Sequence, residues 1–199
     1  MSHYEFRQMR PNEQHDVASL IRESTNCWYE ANGRAAIFTG EPSSTKLFCD
    51  VYEALDPGCC LLAVVKETGQ IAASCFYHSR LTHVSIGIMN VHPGHFGKGL
   101  ARQLLDRIVR LSDEQNKPMR LVSSAMNLDS FSLYTRGGFV PRQIFQDMTL
   151  AIPEEGLAER AIPGIHRVRD AHLDDLQNIV QLEQELCFIE REKDHRFFL

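Results

Sequence analysis

The chain of 199 residues lacks an excess of basic residues, a long apolar run and a secretion signal. Lys and Arg total 21 against 26 Asp and Glu, so the formal net charge is −5 and no overall field recruits nucleic acid. No apolar run reaches the length that crosses a membrane, and the first residues lack a basic-then-apolar pattern. We therefore expect neither nucleic acid nor a membrane as a partner, and an anionic ligand has to be held by local geometry.

The cysteines also lack a spacing typical of metal ligands or of a disulfide framework. The six cysteines form no C-x-x-C pair, and most of them lie in apolar surroundings. Reduced core thiols are a better interpretation than a disulfide framework or a zinc site. We expect a cytoplasmic protein without a metal. The content of 43% hydrophobic and 24% charged residues is typical of a globular protein.

The most informative stretch is residues 91–102, Val-His-Pro-Gly-His-Phe-Gly-Lys-Gly-Leu-Ala-Arg, between a strand pattern and a helix pattern. Pro93 ends the strand, and the three glycines let the backbone turn tightly. The N–H groups that open the next helix have no partners within it and lie at the positive end of its dipole. This arrangement favours an anion, best a phosphate, with Lys98 and Arg102 adding positive charge. An ordinary glycine-rich turn is the alternative.

The glycine spacing matches neither the dinucleotide-binding fingerprint nor the P-loop. It resembles the pyrophosphate loop of the GNAT superfamily of N-acetyltransferases, where Val-x-Pro and three residues precede Gly-x-Gly-x-Gly/Ala. The matching residues are Val91, Pro93, Gly97, Gly99 and Ala101. Phe96 departs from the pattern, because the family usually has Gln or Arg there. The family's loop binds phosphate mainly through backbone amides, which this difference leaves in place.

A second segment resembles the same family. Asn127 is a good helix N-cap, and Gly137-Gly138 is typical of a helix end. The family segment Asn-x-x-Ala-x-x-Leu-Tyr-x-x-x-Gly-Phe matches the chain at Asn127, Leu133, Tyr134, Gly138 and Phe139. The two segments have the family's order and separation, and the resemblance covers most of residues 4–150.

The resemblance implies acetyl-coenzyme A as co-substrate. Backbone amides of the loop would hold its pyrophosphate, the backbone of the preceding strand would pair with its pantetheine arm, and Tyr134 would be the catalytic general acid that faces the sulfur. The alternatives are that Asn127 is only an N-cap and Tyr134 only core packing. The implied cofactor-binding residues are Met89, Val91, Phe96, Gly97, Lys98, Gly99, Leu100, Ala101, Arg102 and Asn127.

The general base stays open at the level of sequence. His78, His83, His92 and His95 lie in the sheet and loop region, and a histidine with a pKa near neutrality could serve. Such histidines are more often surface or strand-edge residues, and many members of the resembled family use a water chain or a distant glutamate. No pair of these histidines has the spacing of zinc ligands with a third partner.

The resemblance and the hydrophobic patterns together predict an α/β (α+β) fold with a mixed, mostly antiparallel sheet flanked by helices and split where the cofactor enters. The fifth strand is reached by a crossover, so we expect it to be parallel to the fourth. Residues 26–45 are predicted to be irregular. The predicted strands are residues 4–10, 59–66, 70–78, 83–91, 119–124 and 139–150, and the helices that follow strands begin near residues 99 and 127.

Composition divides the chain into a GNAT-like domain at residues 1–152, a linker at 153–164 and a segment at 165–199. The linker contains two prolines and Glu154-Glu155-Gly156. The last segment repeats the strand and helix pattern that opens the chain, so it is predicted to start a second GNAT-like domain or to form a C-terminal extension. Its predicted helix, residues 170–189, has an apolar face too small for a core of its own. Homodimerisation through this face is a hypothesis.

The sequence therefore predicts an acetyl-coenzyme A-dependent N-acetyltransferase, an acyltransferase that moves an acetyl group directly to a primary amine. The acceptor, a small molecule or a peptide, is not predicted. A non-catalytic acyl-coenzyme A-binding module with a regulatory or interaction role is the first alternative. A nucleotide-binding protein that uses the same anion loop is the second.

Overall fold

The computed structural model describes residues 3–157 and 161–199, and a five-stranded sheet in the order β1-β2-β3-β4-β5 lies at its centre. The first four strands are antiparallel neighbours, whereas β5 is parallel to β4. The mixed, mostly antiparallel sheet and the parallel crossover are thus confirmed. The strands are β1 Tyr4–Gln8, β2 Cys60–Val65, β3 Ile71–Ser79, β4 Val84–Val91 and β5 Met119–Arg120.

Helices cover both faces of the sheet. The helices are α1 Gln14–Ala31, α2 Lys46–Leu55, α3 Leu100–Glu114, α4 Leu128–Arg136, α5 Leu176–Cys187 and α6 Glu192–Phe198. Apolar residues of α1 and α2 pack with Leu62 and Phe76 on one face. Residues of α3 and α4 pack with Ala63 and Cys75 on the other. Because both faces are covered, β2 and β3 are continuous apolar runs rather than alternating ones.

The first helix is longer than the sequence predicts. We expect irregular structure from residue 26, but α1 continues to Ala31. Asn26 is only weakly unfavourable in a helix, and the good helix formers Glu30 and Ala31 follow it. Asn26 then ties the following loop to α1, because its amide and carbonyl groups both hydrogen-bond the backbone of Phe38 at 3.0 Å.

Three strand predictions differ from the structure. β5 contains only two of the six predicted residues, and residues 139–150 form no strand, with every residue from 140 to 150 exposed. Ile165–Arg167 is a 3₁₀ turn rather than part of a strand. A strand needs a partner for its N–H and C=O groups. β5 stops pairing after two residues, and neither of the other two segments pairs with a strand of the sheet.

A bulge bends β4 near its middle. Cys75 pairs with Met89 and Tyr77 pairs with Ile86, so Gly87 and Ile88 together oppose the single residue Phe76. A Cβ atom on Gly87 would lie 3.2 Å from the Cβ of Phe76, which explains the glycine. Bulges increase the local twist of a strand. The pairing between β4 and β5 stops just before this bulge, and the sheet splits there.

The C-terminal helices contact the end of the sheet where β3 finishes and β5 begins. The guanidinium of Arg80 donates to both carboxylate oxygens of Asp194 in α6, at 2.5 and 2.9 Å. Lys193 donates to Asp56 at 2.7 Å. Arg120 of β5 donates to the backbone carbonyl groups of the last residue of α5 and of the residue after it. Ion pairs and hydrogen bonds thus attach residues 187–194 to the first part of the chain.

Two further findings concern the predicted surroundings of the protein. All six cysteines are free, and burial raises the pKa of the Cys49 and Cys59 thiols to about 12. These thiols therefore stay neutral. Throughout residues 3–157 and 161–199, every helix is too short or too polar to cross a membrane.

Candidate functional site

The loop between β4 and α3 has the conformation that its glycines allow. Gly97 and Gly99 both have a φ of +73°, and Gly99 is the N-cap of α3. No atom lies within 4 Å of a Cβ built at either position, so the left-handed backbone rather than crowding requires glycine. Leu100 is buried and fixes the start of the helix in the core. The amides of the first helical turn have no acceptors within the helix and are open to an anion.

The charged side chains of this loop are held by the protein itself. Lys98 donates from Nζ to the carbonyl oxygen of Gly94 at 3.0 Å. Arg102 donates to the carboxylate of Asp106 at 2.8 Å and to the carbonyl oxygen of Arg136 at 3.2 Å. Both cations therefore lie at the rim of the loop, and Arg102 also connects α3 with the end of α4. Phe96 is half exposed beside them and has no group that could bind a phosphate.

Two of the candidate histidines support this loop. The Nδ1 atom of His92 accepts a hydrogen bond from the Gly94 amide at 3.0 Å. The hydroxyl of Tyr4 in β1 lies 2.8 Å from Nδ1 of His95. Gln70, in the turn between β2 and β3, lies within hydrogen-bonding distance of both rings. Partial burial and the charge of Lys98 lower the pKa of His95. His92 and His95 thus anchor the loop to the first three strands.

The part of β4 that precedes the loop has a free edge. Its last pairs with β5 are Val84 with Met119 and Ser85 with Arg120. Met89 and Val91 lie beyond these pairs and are hydrogen-bonded partners of β3 only. An unpaired strand edge can bind an extended ligand through backbone hydrogen bonds. The structure thus brings the predicted strand residues and the phosphate loop together along one edge.

Helix α4 positions the two polar residues of the second segment. Asn127 caps the helix, since its side-chain oxygen accepts from the Ser130 amide at 3.0 Å. Tyr134 packs in the core on the α3 face, with its ring 5.9 Å from that of Phe139. Burial, and secondarily the Cys75 thiol, raise the pKa of Tyr134 to about 12. Its hydroxyl forms no hydrogen bond within the described residues. The N-cap and packing roles are present, and both polar groups retain unused donors.

The structure also shows a buried polar cluster that the sequence analysis missed. His78 is 7% exposed, and its Nδ1 atom lies 2.7 Å from the Asp56 carboxylate. Arg80 donates to the same carboxylate oxygen at 2.7 Å. Burial lowers the pKa of His78 although Asp56 acts to raise it. The sequence signal for this cluster was the polar residues His78 and Arg80 at the end of the apolar run of β3. Asp56 joins them only in the folded structure.

The remaining candidate histidine has a different setting. His83 is buried, and its ring lies 3.0 Å from the Thr82 hydroxyl. Burial and the charges of Arg120 and Arg80 lower its pKa. It has no carboxylate partner among the described residues. Within the same residues, no group of three His, Cys, Asp or Glu side chains could hold a metal ion.

Chemically, the arrangement can bind an elongated anionic molecule. The open amides and rim cations would bind its phosphates, and the free edge of β4 would bind an extended arm. The unpartnered phenol of Tyr134 is a donor that stays protonated across the neutral range.

Comparisons with known proteins find a matching family and similar solved structures. The family described as acetyltransferase (GNAT) family matches residues 18–139. A Pyrococcus horikoshii protein proposed to be an acetyltransferase is similar in structure, with a TM-score of 0.59 and 20% identity over 71% of this chain and 45% of that one. The chain thus spans less than half of that relative.

Two other solved structures are similar over most of their own length. The ribosomal-protein-S18-alanine N-acetyltransferase from Escherichia coli has a TM-score of 0.56 and 15% identity over 77% of this chain and 86% of that one. An acetyltransferase from Trypanosoma brucei has a TM-score of 0.51 and 16% identity over 74% and 99%. At these identities the likeness shows the fold alone. A comparison with curated proteins finds no match.

Proposed function

This chain belongs to the acetyltransferase (GNAT) family, and on that premise we propose that it is an N-acetyltransferase that uses acetyl-coenzyme A. Membership implies acyl transfer from an acyl-coenzyme A to an amine. The proposal adds that the acyl group is acetyl, that the acceptor is a primary amine of a small molecule or a peptide, and that transfer is direct.

The observation that carries this proposal is the position of the phosphate loop at the end of a free strand edge. Gly97 and Gly99 open α3 directly after β4, whose pairing with β5 has ended at Ser85. A pyrophosphate at the loop would leave a pantetheine arm to run back along β4 toward the split. The cradle fits such a group, because nothing lies within 4 Å of the Cβ positions of the two glycines.

Each residue of the site has a physical task in this proposal. The amides of Gly97, Gly99, Leu100 and Ala101 would bind the pyrophosphate, and Lys98 and Arg102 would add positive charge at the rim. Met89 and Val91 would bind the arm through their backbone, and the side-chain amide nitrogen of Asn127, which the cap does not use, could also donate to it. Phe96 would contribute only an apolar contact beside the phosphates.

The thioester supplies an activated acetyl group, and the protein has to stabilise the sulfur as it departs. Tyr134 has an unpartnered hydroxyl on α4, the helix whose end accepts a hydrogen bond from Arg102 of the loop rim. A hydrogen bond from a buried phenol to the sulfur is stronger in the transition state, where the sulfur gains negative charge, than in the ground state. It therefore lowers the activation barrier for transfer. We therefore assign Tyr134 as the general acid.

The proposal extends to location and assembly. Six free cysteines suit the reducing cytoplasm, where we place the protein. Whether residues 165–199 start a second GNAT-like domain or form an extension of the domain at residues 1–152 stays a prediction, as does a homodimer.

Incubation of the protein with acetyl-coenzyme A and a panel of primary amines, with free thiol as the readout, tests the function. We expect thiol release that depends on the amine, together with mass spectrometry of an acetylated product. Binding of acetyl-coenzyme A without release, across polyamine, aminoglycoside and peptide acceptors, would favour a non-catalytic acyl-coenzyme A-binding module instead.

A further inference from the structure

His78 has the surroundings of an oriented base rather than of a core histidine. Its Nδ1 atom faces the carboxylate of Asp56 at 2.7 Å, which fixes the ring and its tautomer. Its Nε2 atom is buried and has no hydrogen-bond partner within the described residues. A buried polar atom without a partner is uncommon and needs an explanation. An imidazole with a carboxylate on one nitrogen and no protein partner on the other is an arrangement that general bases use.

The unpartnered nitrogen lies next to the point where the sheet splits. A Cβ atom built on Gly87 would lie 3.4 Å from Nε2 of His78, so this atom is next to the bulge of β4. Gly87 is also the second residue after the last β4–β5 pair, at Ser85. An arm that runs from the phosphate loop past Val91 and Met89 would place its reactive end near Gly87. No side chain at Gly87 separates that end from the imidazole.

We propose that His78, oriented by Asp56, is the general base that takes the proton from the acceptor amine, directly or through one water molecule. This inference rests on the proposed function and adds the residue that the sequence could not choose among four histidines. The other three are excluded by position: His92 and His95 support the loop, and His83 has no carboxylate partner among the described residues.

The proposed step balances with the residues at hand. The amine nitrogen attacks the thioester carbonyl carbon and forms the N–C bond, and its proton passes to Nε2 of His78. The C–S bond then breaks, and the leaving thiolate takes a proton from Tyr134. The positively charged nitrogen of the adduct is far more acidic than a free ammonium ion, so a histidine with a lowered pKa is basic enough. The protonated imidazole and the phenolate then exchange a proton through solvent.

The charges around His78 keep it neutral in the resting protein. Burial lowers its pKa, Asp56 raises it, Arg80 lowers it and Asp194 of α6 raises it, with a net lowering. The ring of Tyr52 in α2 lies edge-on to the imidazole, with 4.7 Å between the ring centroids. Lys193 of α6 donates to the other carboxylate oxygen of Asp56. On β4, Ser85 donates only to the backbone carbonyl of His78. The imidazole is therefore an acceptor at neutral pH, as a base requires.

A substitution that keeps the structural contact tests the role. In the full chain, His78→Asn places an amide N–H near the position of Nδ1 and can still donate to Asp56, but it has no basic nitrogen. With acetyl-coenzyme A and a panel of alkylamines that includes spermidine, we expect turnover to fall by about two to four orders of magnitude. The increase in melting temperature with coenzyme A should be unchanged. Hydroxylamine, a neutral nucleophile whose adduct loses its proton readily to water, should be acetylated at close to the wild-type rate.

The matched control is Glu192→Gln, which removes a carboxylate of α6 that pairs with Arg196 at the surface and leaves the pair of His78 and Asp56 in place. It should keep its turnover. Asp56→Asn removes the charge that raises the pKa of His78, so the acidic limb of the kcat profile should move to lower pH as the rate falls. If His78 had only a structural role, the acidic limb of the profile would not move.

Two results would overturn the inference and are distinguishable. Equal alkylamine turnover in folded His78→Asn and wild-type protein would exclude His78 as the base and leave the proposed function standing. Absence of thiol release from the wild-type protein with every amine, hydroxylamine included, would overturn the proposed function and this role together.

Discussion

At the scale of single residues, the sharpest question is whether the Tyr134 hydroxyl acts in chemistry or whether the ring only fills the core. The ring packs against Phe139, so both roles use the same side chain. Tyr134→Phe removes the oxygen and keeps the ring. We expect the turnover number to fall by about two to four orders of magnitude, because the leaving thiolate loses its proton donor. Steady-state kinetics with the best acceptor of the amine panel measures this.

A matched control for this prediction is Tyr77→Phe, which removes another half-buried hydroxyl from the same core cluster. It should leave turnover unchanged, and both variants should bind coenzyme A with near wild-type affinity. Since burial raises the pKa of Tyr134 to about 12, the wild-type profile should show no loss of the acid below pH 10. Turnover of Tyr134→Phe equal to that of the wild type would reduce the tyrosine to core packing.

An ion pair at the first strand sets a pH dependence of stability. Arg7 donates to both carboxylate oxygens of Glu13 at 2.7 and 2.6 Å, and the Arg10 amide donates to the same group. The hydrogen bond with Arg7 is the main reason that the pKa of Glu13 lies below its usual value. The pair therefore stabilises the fold above the usual glutamate pKa, and this contribution is lost as the pH falls through the lowered one.

Glu13→Gln should consequently lower the free energy of unfolding by about 1 kcal/mol at pH 7, within the range of partly exposed ion pairs. The difference from the wild type should shrink as the pH falls below about 4, because the unfolded wild-type chain takes up a proton on Glu13 there and the folded chain follows at its lowered pKa. Urea denaturation at several pH values measures both. A difference that is constant with pH would assign the effect to packing.

At the scale of elements, the phosphate loop has to bind through its backbone, because Phe96 offers no donor and the rim cations are already engaged. Gly99→Asp would place a carboxylate at the N-cap of α3 where phosphate and backbone must meet. We expect the increase in melting temperature produced by acetyl-coenzyme A to disappear. Thermal unfolding at increasing ligand concentration measures this, since ligand stabilisation grows with concentration above the dissociation constant.

A side chain at Gly99 also strains the backbone, so the control must carry the same strain elsewhere. Gly69→Asp provides it, because Gly69 has a φ of +74° with open space around it, in the turn between β2 and β3. This variant should melt at a lower temperature and keep the full increase with ligand. If folded Gly99→Asp keeps that increase, the pyrophosphate binds elsewhere.

The sequence predicted the elements whose signal is local. Pro93 with the glycines at 97 and 99 indicated the loop, the spacing of Leu104, Leu105 and Ile108 indicated α3, and Asn127 indicated the start of α4. It failed where a partner decides the structure. Residues 139–150 have a strand pattern but pair with no strand, and the bulge at Gly87 depends on its contact with Phe76 on the neighbouring strand.

Within the candidate site the same division holds. Residues 97–101 could be proposed from their spacing, because one short segment contains the whole motif. The link between Asp56 and His78 could not, since α2 and β3 supply one residue each and no sequence pattern connects them. The structure places Met89, Val91 and the phosphate loop along one edge of β4, and the roles of the site residues stay proposals.

At the scale of the whole molecule, α5 leaves part of its apolar face uncovered. Leu176 is buried, but Leu182 and Leu186 are 55% and 69% exposed. A homodimer through this face stays a prediction. Light scattering should give twice the chain mass for the wild type and the single mass for Leu182→Glu/Leu186→Glu, which keeps α6 attached. A monomer in both cases would contradict a dimer built on α5.

The attachment of α6 makes the C-terminal segment part of the stability of the first domain. The side chain of Arg80 is 4% exposed, and its guanidinium is neutralised by Asp56 and by Asp194 from α6. Removal of one partner of a buried ion pair leaves a charge with less compensation, which typically costs about 3–5 kcal/mol. We expect Asp194→Asn to lower the free energy of unfolding by about 3 kcal/mol, toward the lower end because Asp194 itself is partly exposed.

Glu192→Gln is the control for the stability loss expected of Asp194→Asn. Glu192 is a carboxylate on the same helix, but it pairs with Arg196 at the surface, where such a pair contributes only about 0.3–0.5 kcal/mol. Chemical denaturation of the two variants should therefore separate them by about 2 kcal/mol or more, the difference between the two classes of ion pair. If both variants lost the same few tenths, α6 would not be held by Arg80. The contact between α6 and Arg80 would then contribute little to the free energy of unfolding of the first domain.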